Sequence, residues 1–362
     1  HKFFIDMARL NIEKPEIIAK ATDHIQEMLE FVQGLIKNGY AYETSKGIYF
    51  DISKLDKYPV LSNRKLDDQI AGARVDVDTE KKNPYDFALW IKAPENHIMK
   101  WESPWGLSYP GWHIECSAMG RKYLGDQFDI HTGGIDHIPT HHENEIAQSK
   151  GLTGKIPAKT WMHVEFLQVD GGKMSKSLGN TYILDQLQEK GIEPLAYKLF
   201  CFTAHYRTKL NFTFDTALAT QKALTRLREG FVKHQQGTEN IDEQEIKEYE
   251  NKFLETINDD LNMPAAMGIV WEIVRNEHKS NHFAELLLKF DKVLGLDLEN
   301  SKKYLEESKN VELPEDIQDL IEKRKEAREN KDWSLSDQIR DELKEKGYIV
   351  KDTKEGMTIE KV

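Results

Sequence analysis

Lys173-Met174-Ser175-Lys176-Ser177-Leu178-Gly179-Asn180, entered through the turn Asp170-Gly171-Gly172, is the most informative stretch of the chain. It puts two lysines and two small hydroxyl residues on a loop behind a glycine turn. Such a loop suits a mobile clamp on a polyphosphate, because ammonium groups can neutralise charge that grows on a departing phosphate. By themselves the letters K-x-S-K-S fit an ordinary solvated basic loop as well. The surroundings narrow the fold. From Tyr109 to Thr181 short apolar stretches alternate with glycine-rich turns and helix starts, the layout of βα units in a parallel sheet. Phe128-Asp129-Ile130 predicts a strand running into a turn at Thr132-Gly133-Gly134. Glu145 to Lys150 predicts a helix ended by Gly151, and the alternation of Met162, Val164 and Phe166 predicts a strand before the Asp170 turn.

Upstream, Ile25, Met28, Leu29, Val32, Leu35 and Ile36 recur at helical spacing. Asp23 with Gln26 forms a capping-box start for that helix, and Asn38-Gly39 its stop. A hairpin follows, Ala41-Tyr42 and Ile48-Tyr49-Phe50 flanking a turn at Ser45-Lys46-Gly47. Leu55 to Glu102 is polar, rich in Asp and Lys and interrupted by Pro84 and Pro94, the texture of an insertion rather than of a core element. Downstream of Asn211 the pattern is helical to about Leu296, with stripes at Leu224, Leu227, Phe231 and at Leu287, Phe290, Leu294. Asn262-Met263-Pro264 starts a new helix within it. A charged helix around Arg324 to Lys344 and a β-like tail from Tyr348 to Ile359, turning at Gly356, complete the chain.

Composition bounds the reading. The 362 residues imply roughly two to three domains. A hydrophobic fraction of 39% and a charged fraction of 31% suit a soluble, helix-rich protein. No apolar run reaches the about 18 residues of a membrane span, and the start lacks the layout of a secretory signal. Two cysteines, Cys116 and Cys201, make a disulfide framework implausible and a reducing cytoplasm the expected setting. The net charge of −12 argues against a general nucleic-acid coat but leaves room for a local basic track.

A second cluster joins Cys116 to His141-His142-Glu143-Asn144-Glu145. His141 and Glu145 share a helix face at i, i+4 spacing, so thiolate, imidazole and carboxylate could ligate one zinc ion and leave a fourth position open. Taken alone, the same residues also fit buried packing and surface polarity.

The string from Lys173 to Asn180 resembles the signature loop of class I aminoacyl-tRNA synthetases. The words Gly111-Trp112-His113-Ile114-Glu115-Cys116-Ser117-Ala118-Met119, Phe128-Asp129-Ile130-His131 and HHENEIAQS from His141 resemble cysteinyl-tRNA synthetases in particular. AGARVDV from Ala71 and the run from Asn83 to Trp90 look like that family's insertion domain. The resemblance runs the length of the chain. It implies an α/β fold: a Rossmann-type class I catalytic domain lacking its first part, an insertion domain, an α-helical bundle and a small α+β anticodon-binding domain. The expected boundaries are 1–18 for a remnant of the first Rossmann half and 19–108 for the connective-peptide insertion. The second half with the zinc site takes 109–165, and the KMSKS loop with a stem-contact region takes 166–215. The helical bundle that binds tRNA takes 216–305, and the anticodon-binding domain 310–362.

Carried over by position, Cys116, His141 and Glu145 would hold zinc, while Trp112, His131, Gly133 and Asp136 would line the cysteine and adenosine pocket. Lys173 and Lys176 would act on the ATP phosphates, with Met174, Ser175 and Ser177 on the same loop. His113, His142 and Glu143 would be supports. At the far end Arg328, Trp333, Asp337 and Asp352 would meet the anticodon, although without the resemblance Trp333 reads more readily as anchoring its helix to a small core. The implied reaction is ATP-dependent activation of L-cysteine to an adenylate, with Mg2+ accompanying ATP, and transfer to tRNA(Cys) by a monomer.

Two departures stand out. Where the family has D-L-x-F-P-H-H, this chain reads Asp136-His137-Ile138-Pro139-Thr140-His141-His142. The family's HIGH motif and its fourth, cysteine ligand near the N-terminus do not occur in the sequence, which begins at His1 rather than Met. The expectation is therefore a chain without the opening of its catalytic domain, inactive by itself. Competing readings are the cysteine ligase of mycothiol synthesis, against which the Trp333 tail argues, and a non-catalytic tRNA-binding paralogue.

Overall fold

The computed structural model describes residues 2–62, 79–309, 315–353 and 356–361; the Ala71 word noted above lies outside them. The chain forms two compact units, His1–Leu298 and Glu299–Val362. No helix among the described residues is long and apolar enough to cross a membrane.

In the first unit four antiparallel strands lie in chain order: β1 (Ala41–Thr44), β2 (Gly47–Phe50), β3 (Phe87–Lys92) and β4 (Ser108–Pro110). The hairpin β1–β2 closes at Ser45-Lys46, one residue tighter than the sequence suggests, with Thr44 paired to Gly47. β3 comes from the stretch read as a polar insertion, and that reading needs correction. Its Leu89 and Trp90 are fully buried against Ile48, Phe50 and the helix Ile25–Lys37. Six consecutive strand residues are too few to stand out in a window dominated by Asp and Lys.

That helix buries Met28, Leu29, Phe31, Val32 and Leu35, and leaves Ile36 on its outer side. Its start also differs from the expected capping box. Asp23 closes a 3-10 turn from Ala21, and His24 takes the cap position with no side-chain cap bond. The entry is held instead by tertiary bonds: His24 Nδ1 donates to Lys20 O (2.6 Å) and Nε2 accepts from the Tyr123 hydroxyl (2.7 Å).

The helix Trp112–Leu124 follows β4 and packs Ile114 and Ala118 into the same core. Next come β5 (Phe128–Gly134) and β6 (Ala158–Val164), paired in parallel, with the helix Glu143–Thr153 in the crossover between them. The predicted turn at Thr132-Gly133-Gly134 is in fact the end of β5, where Gly133 pairs with His163 and Gly134 with Val164. Nor does Gly151 end the crossover helix, which stops at Gly154 in the left-handed region (φ 76°). Gly151 is there for close approach. A Cβ on it would lie 2.9 to 3.1 Å from Leu35, Phe50 and Tyr40, so the helix presses its backbone onto the core at that residue.

β7 (Leu167–Val169) pairs antiparallel with β8 (Gly172–Lys173) and parallel with β9 (Leu210–Phe212). A helical bundle follows: Phe214–Gln235, Glu243–Asn258, Met263–Arg275 and Asn281–Leu294. The two predicted stripes, Leu224, Leu227, Phe231 and Leu287, Phe290, Leu294, are buried in it, and Phe253 stacks on Phe290 with ring centroids 3.9 Å apart. Asn262 caps the third of these helices by accepting from Ala265 N, with Pro264 in its first turn.

The second unit holds helices Ser301–Lys309, Glu315–Glu329 and Trp333–Glu345, then the hairpin β10 (Tyr348–Thr353) and β11 (Gly356–Lys361). The single charged helix expected around Arg324 to Lys344 is two. Lys331 takes a left-handed conformation (φ 57°) and Asp332 caps the next helix by accepting from Leu335 N at 3.0 Å. The break lets the two helices fold back and bury Ile317, Ile339 and Leu343 with Tyr348 and Val350.

Candidate active site

Three elements converge on one buried cluster. Cys116 comes from the Trp112–Leu124 helix, His141 from a widened turn at Ile138–His142, and Glu145 from the first turn of the crossover helix. One ligand atom from each lies within 4.8 Å of the other two. His141 Nε2 sits 2.9 Å from Glu145 Oε1, and His131, at the middle of β5, reaches the other carboxyl oxygen at 3.2 Å. His131 was expected in the substrate pocket; the structure joins it directly to the cluster. His131, His142 and Glu145 form a second group whose ligand atoms are equally close, so Glu145 is common to both.

Burial sets the electrostatics. It pushes the Cys116 thiol up to about 12, with Glu145 and Glu115 adding to the effect, so the sulfur carries its proton. It pushes His142 down to about 3 and His113 down to about 4, leaving both rings neutral. Burial also disfavours a charged Glu145, but hydrogen bonds from His131 and His141 outweigh it and hold the carboxyl at about 2.

The supports are more specific than their spacing suggested. His113 Nδ1 lies 3.0 Å from His141 Nδ1, and His142 Nδ1 lies 2.8 Å from Nε2 of His163. His163 and Trp161 went unnoticed in the sequence. They occupy the face of β6 opposite to Met162 and Val164, and Trp161 packs on the rings of both His131 and His142. The signal was there in the period-2 alternation, but only its apolar half was read. Gly133 has no room for a side chain: a Cβ would fall 2.6 Å from the His142 ring and 2.7 Å from His137 Nδ1. Trp112 is 60% exposed, its indole 4.5 Å from the His141 ring and 5.8 Å from the His137 ring, and Asp136 is exposed in the turn Ile135–His137.

Glu143 plays a different part from its neighbours. Its carboxyl accepts from the backbone N–H groups of Val60 (2.7 Å), Leu61 (2.6 Å) and Ser62, while Asn144 Oδ1 accepts from the Tyr58 hydroxyl at 2.6 Å. Glu143 is wholly buried and faces away from the Cys116 cluster to clamp residues 58–62. Glu143→Ala strips three backbone donors of their acceptor. At about 1–3 kcal/mol for each buried group left unmade, the loss should reach on the order of 3 kcal/mol in urea unfolding. A loss under about 0.5 kcal/mol, the scale of ordinary surface changes, would show that the clamp is dispensable.

The lysine loop is a separate feature of the same unit. Asn180 staples it, accepting from Ser175 N at 2.8 Å and donating to Lys173 O at 3.0 Å, and Ser175 caps the short turn Lys176–Leu178. Lys173, Lys176 and Ser177 are exposed, whereas Met174 and Ser175 are half-buried. Among the described residues no hydrogen bond, ion pair or ring contact links this loop to the Cys116 cluster.

In the second unit Trp333 is 56% exposed and is not among the described residues of the small core. The Arg328 guanidinium lies 5.7 Å from its ring centroid. Asp337 pairs with Arg340 at 2.9 Å, and the backbone of Asp352 is on β10.

The family model described as tRNA synthetases class I (C) catalytic domain matches residues 1–223, and that of the cysteinyl-tRNA ligase anticodon binding domain matches residues 310–359. The cysteine–tRNA ligase of Treponema denticola is 40% identical over 97% of this chain and 76% of its own length. Cysteine–tRNA ligase 1 of Burkholderia lata is 42% identical over 99% of this chain and 74% of its own. A third, from Chlorobaculum tepidum, is 40% identical over 98% and 76% respectively. With one family model covering more than half of the residues and relatives this similar from end to end, the chain belongs to the cysteine–tRNA ligases of the class I tRNA synthetase family.

Proposed function

We propose that this chain serves the activation of L-cysteine with ATP and its transfer to tRNA(Cys) together with a HIGH motif and a fourth, cysteine zinc ligand that its sequence does not contain, selecting the substrate through a zinc ion held in part by Cys116, His141 and Glu145. The observation that carries this reading is the convergence of a sulfur, an imidazole nitrogen and a carboxyl oxygen within 4.8 Å in a largely buried cluster. That donor set suits zinc, whose coordination these three residues leave incomplete. When bound, zinc supplies a preference for a thiolate over a hydroxyl, which an apolar pocket could not impose between cysteine and serine.

The chain's own residues do the rest. Glu145 is already ionised, as a ligand must be, and Cys116 gives up its proton on metal binding. His113, kept neutral by burial, can accept a hydrogen bond from Nδ1 of His141 and so hold that ring in one orientation. Trp112, His131, Gly133 and Asp136 border the space for cysteine and adenosine. The substrate carboxylate attacks the α-phosphate of ATP, and Lys173 and Lys176 neutralise the departing pyrophosphate from a loop that Asn180 keeps in shape. Met174, Ser175 and Ser177 complete that loop, and Mg2+ accompanies ATP. Positioning and charge suffice, with no covalent enzyme intermediate.

In the second unit Arg328, Trp333, Asp337 and Asp352 read the anticodon. We take the working unit to be one chain, in a reducing cytoplasm that keeps the Cys116 thiol free. The test is pyrophosphate exchange by the protein carrying those two elements as well, with about one zinc per chain bound. Cysteine should support the exchange and serine should not. Equal exchange with serine, or full exchange after zinc is stripped, would overturn the zinc reading.

A further inference from the structure

We infer that Asp260, in the loop between the bundle helices Glu243–Asn258 and Met263–Arg275, is a positioning residue for the lysine loop and acts through the segment His205–Phe212. The inference deepens the function proposed above and rests on the phosphate role given there to Lys173 and Lys176.

Backbone conformation marks the loop first. Asp260 and Leu261 both lie in the left-handed region, each with φ 55°. Two such residues in succession are rare outside glycine, and a bulky leucine tolerates the conformation least. Burial does not compensate, because Leu261 is 44% exposed. Side chains from one short segment hold the turn instead. The Tyr206 hydroxyl donates to Asp260 Oδ1 at 2.5 Å, and Arg207 donates through Nε to Oδ2 (2.6 Å) and through a terminal nitrogen to Oδ1 (3.2 Å). His205 Nε2 donates to the Asp260 backbone oxygen at 2.9 Å, while its Nδ1 accepts from Arg207 N at 3.2 Å. A carboxylate gripped at two points by a guanidinium is fixed in direction as well as in place. Strain kept by such contacts, rather than by packing, points to a use for the geometry.

The same segment carries the approach to the lysine loop. Tyr206 O accepts from Glu165 N (2.8 Å), and Leu210 N donates to Phe166 O (3.3 Å). Phe212 O accepts from Asp170 N (3.0 Å), and Asn211 Oδ1 accepts from Gly171 N (2.8 Å). Between those bonds β9 pairs with β7 along its full length. β8, which contains Lys173, pairs with β7 alone, through two residue pairs. Beyond the loop the Tyr182 ring meets Phe212 and Phe214, with centroids 6.1 and 5.0 Å away. Both ends of the lysine loop therefore rest on residues that Asp260 holds in place or on their immediate neighbours. A shift of that segment moves Lys173 and Lys176 relative to a bound phosphate, and charge stabilisation of this kind depends on close placement.

The test uses Asp260→Gly, which keeps the left-handed backbone without strain and removes the carboxylate. In the protein that also carries the HIGH motif and the fourth ligand, kcat for cysteine-dependent pyrophosphate exchange should fall about 10- to 100-fold, the scale of a small misplacement. KM for cysteine and for ATP should stay within about twofold, as when only transition-state contacts weaken. Asp260→Asn, which tolerates the left-handed turn and still offers an oxygen to Tyr206, should recover most of the rate. In this chain the amide hydrogens of Glu165, Asp170 and Gly171 should exchange with solvent about fivefold faster or more in Asp260→Gly, with the melting temperature little changed. Lys289→Ala, which breaks an exposed pair with Glu250 within the bundle, should alter none of these. Wild-type kcat, or wild-type amide exchange, in Asp260→Gly would overturn the inference. So would a loss that Asp260→Asn does not rescue, or one that a lowered melting temperature accompanies. Loss of tRNA charging with pyrophosphate exchange intact would overturn it too, since the defect would then lie in a tRNA contact. Absence of cysteine-dependent pyrophosphate exchange in the wild-type protein would instead sink the function proposed above, and amide exchange would still decide whether Asp260 holds the approach to the loop.

Discussion

Cys116→Ser should abolish cysteine-dependent pyrophosphate exchange and leave the purified protein with little or no zinc. The substitution exchanges one atom in a site whose sulfur lies within 4.8 Å of the His141 and Glu145 donors, so the surrounding fold has little to accommodate. A neutral hydroxyl is a much poorer zinc ligand than a thiolate. Losing an outer partner of a metal site already costs about 10–100-fold in affinity or activity, and losing a ligand should exceed that. His141→Ala should match it in exchange, but it also takes a hydrogen-bond donor from the buried Glu145. Part of its effect will therefore be lost stability, on the scale of about 3–5 kcal/mol for a broken buried pair. Serine at 116 is the cleaner variant. Exchange that survives in it, with zinc retained, would remove Cys116 from the ligand set and with it the proposed basis for choosing cysteine.

Trp333→Ala should act on the other half of the reaction. The indole is more than half exposed, stands outside the core of Ile317, Ile339, Leu343, Tyr348 and Val350, and has the Arg328 guanidinium near its ring. A base stacked on such a ring contributes about 1–3 kcal/mol, so KM for tRNA(Cys) should rise by roughly 5- to 150-fold. Exchange without tRNA should not change, because its chemistry belongs to the first unit. Thermal stability should move little, as at other exposed positions. Equal losses in charging and in exchange would mark Trp333 as structural and overturn the anticodon assignment.

How much could be read in advance varied with the range of the interaction. The hairpin at residues 41–50 and the bundle stripes through Leu224 and Leu287 were legible because alternation and helical spacing are written into neighbouring residues. The capping box at Asp23 was misread because a tertiary bond from Tyr123 to His24 fixes the helix entry. Gly151 was misread because glycine ends helices and also permits close approach, and the approach here is to Leu35, Phe50 and Tyr40, far away in sequence. The break at Lys331 was hidden by uniform charge on both sides. β3 was hidden for the converse reason, as six apolar-rich residues inside a polar stretch.

The site divides along the same line. Sequence alone established the family, through the words around Cys116, His141 and Lys173, and it named the residue types that zinc and phosphate chemistry would require. Only the tertiary structure decided that His131 contacts Glu145, that His163 and Trp161 back His142, and that Glu143 turns away to hold residues 58–62. The physical reason is that a motif records which groups a reaction needs. Which of them touch is settled by strands and helices that meet across β5, β6 and the crossover helix; the burial they create keeps His113 and His142 neutral, and the hydrogen bonds from His131 and His141 hold Glu145 charged against it.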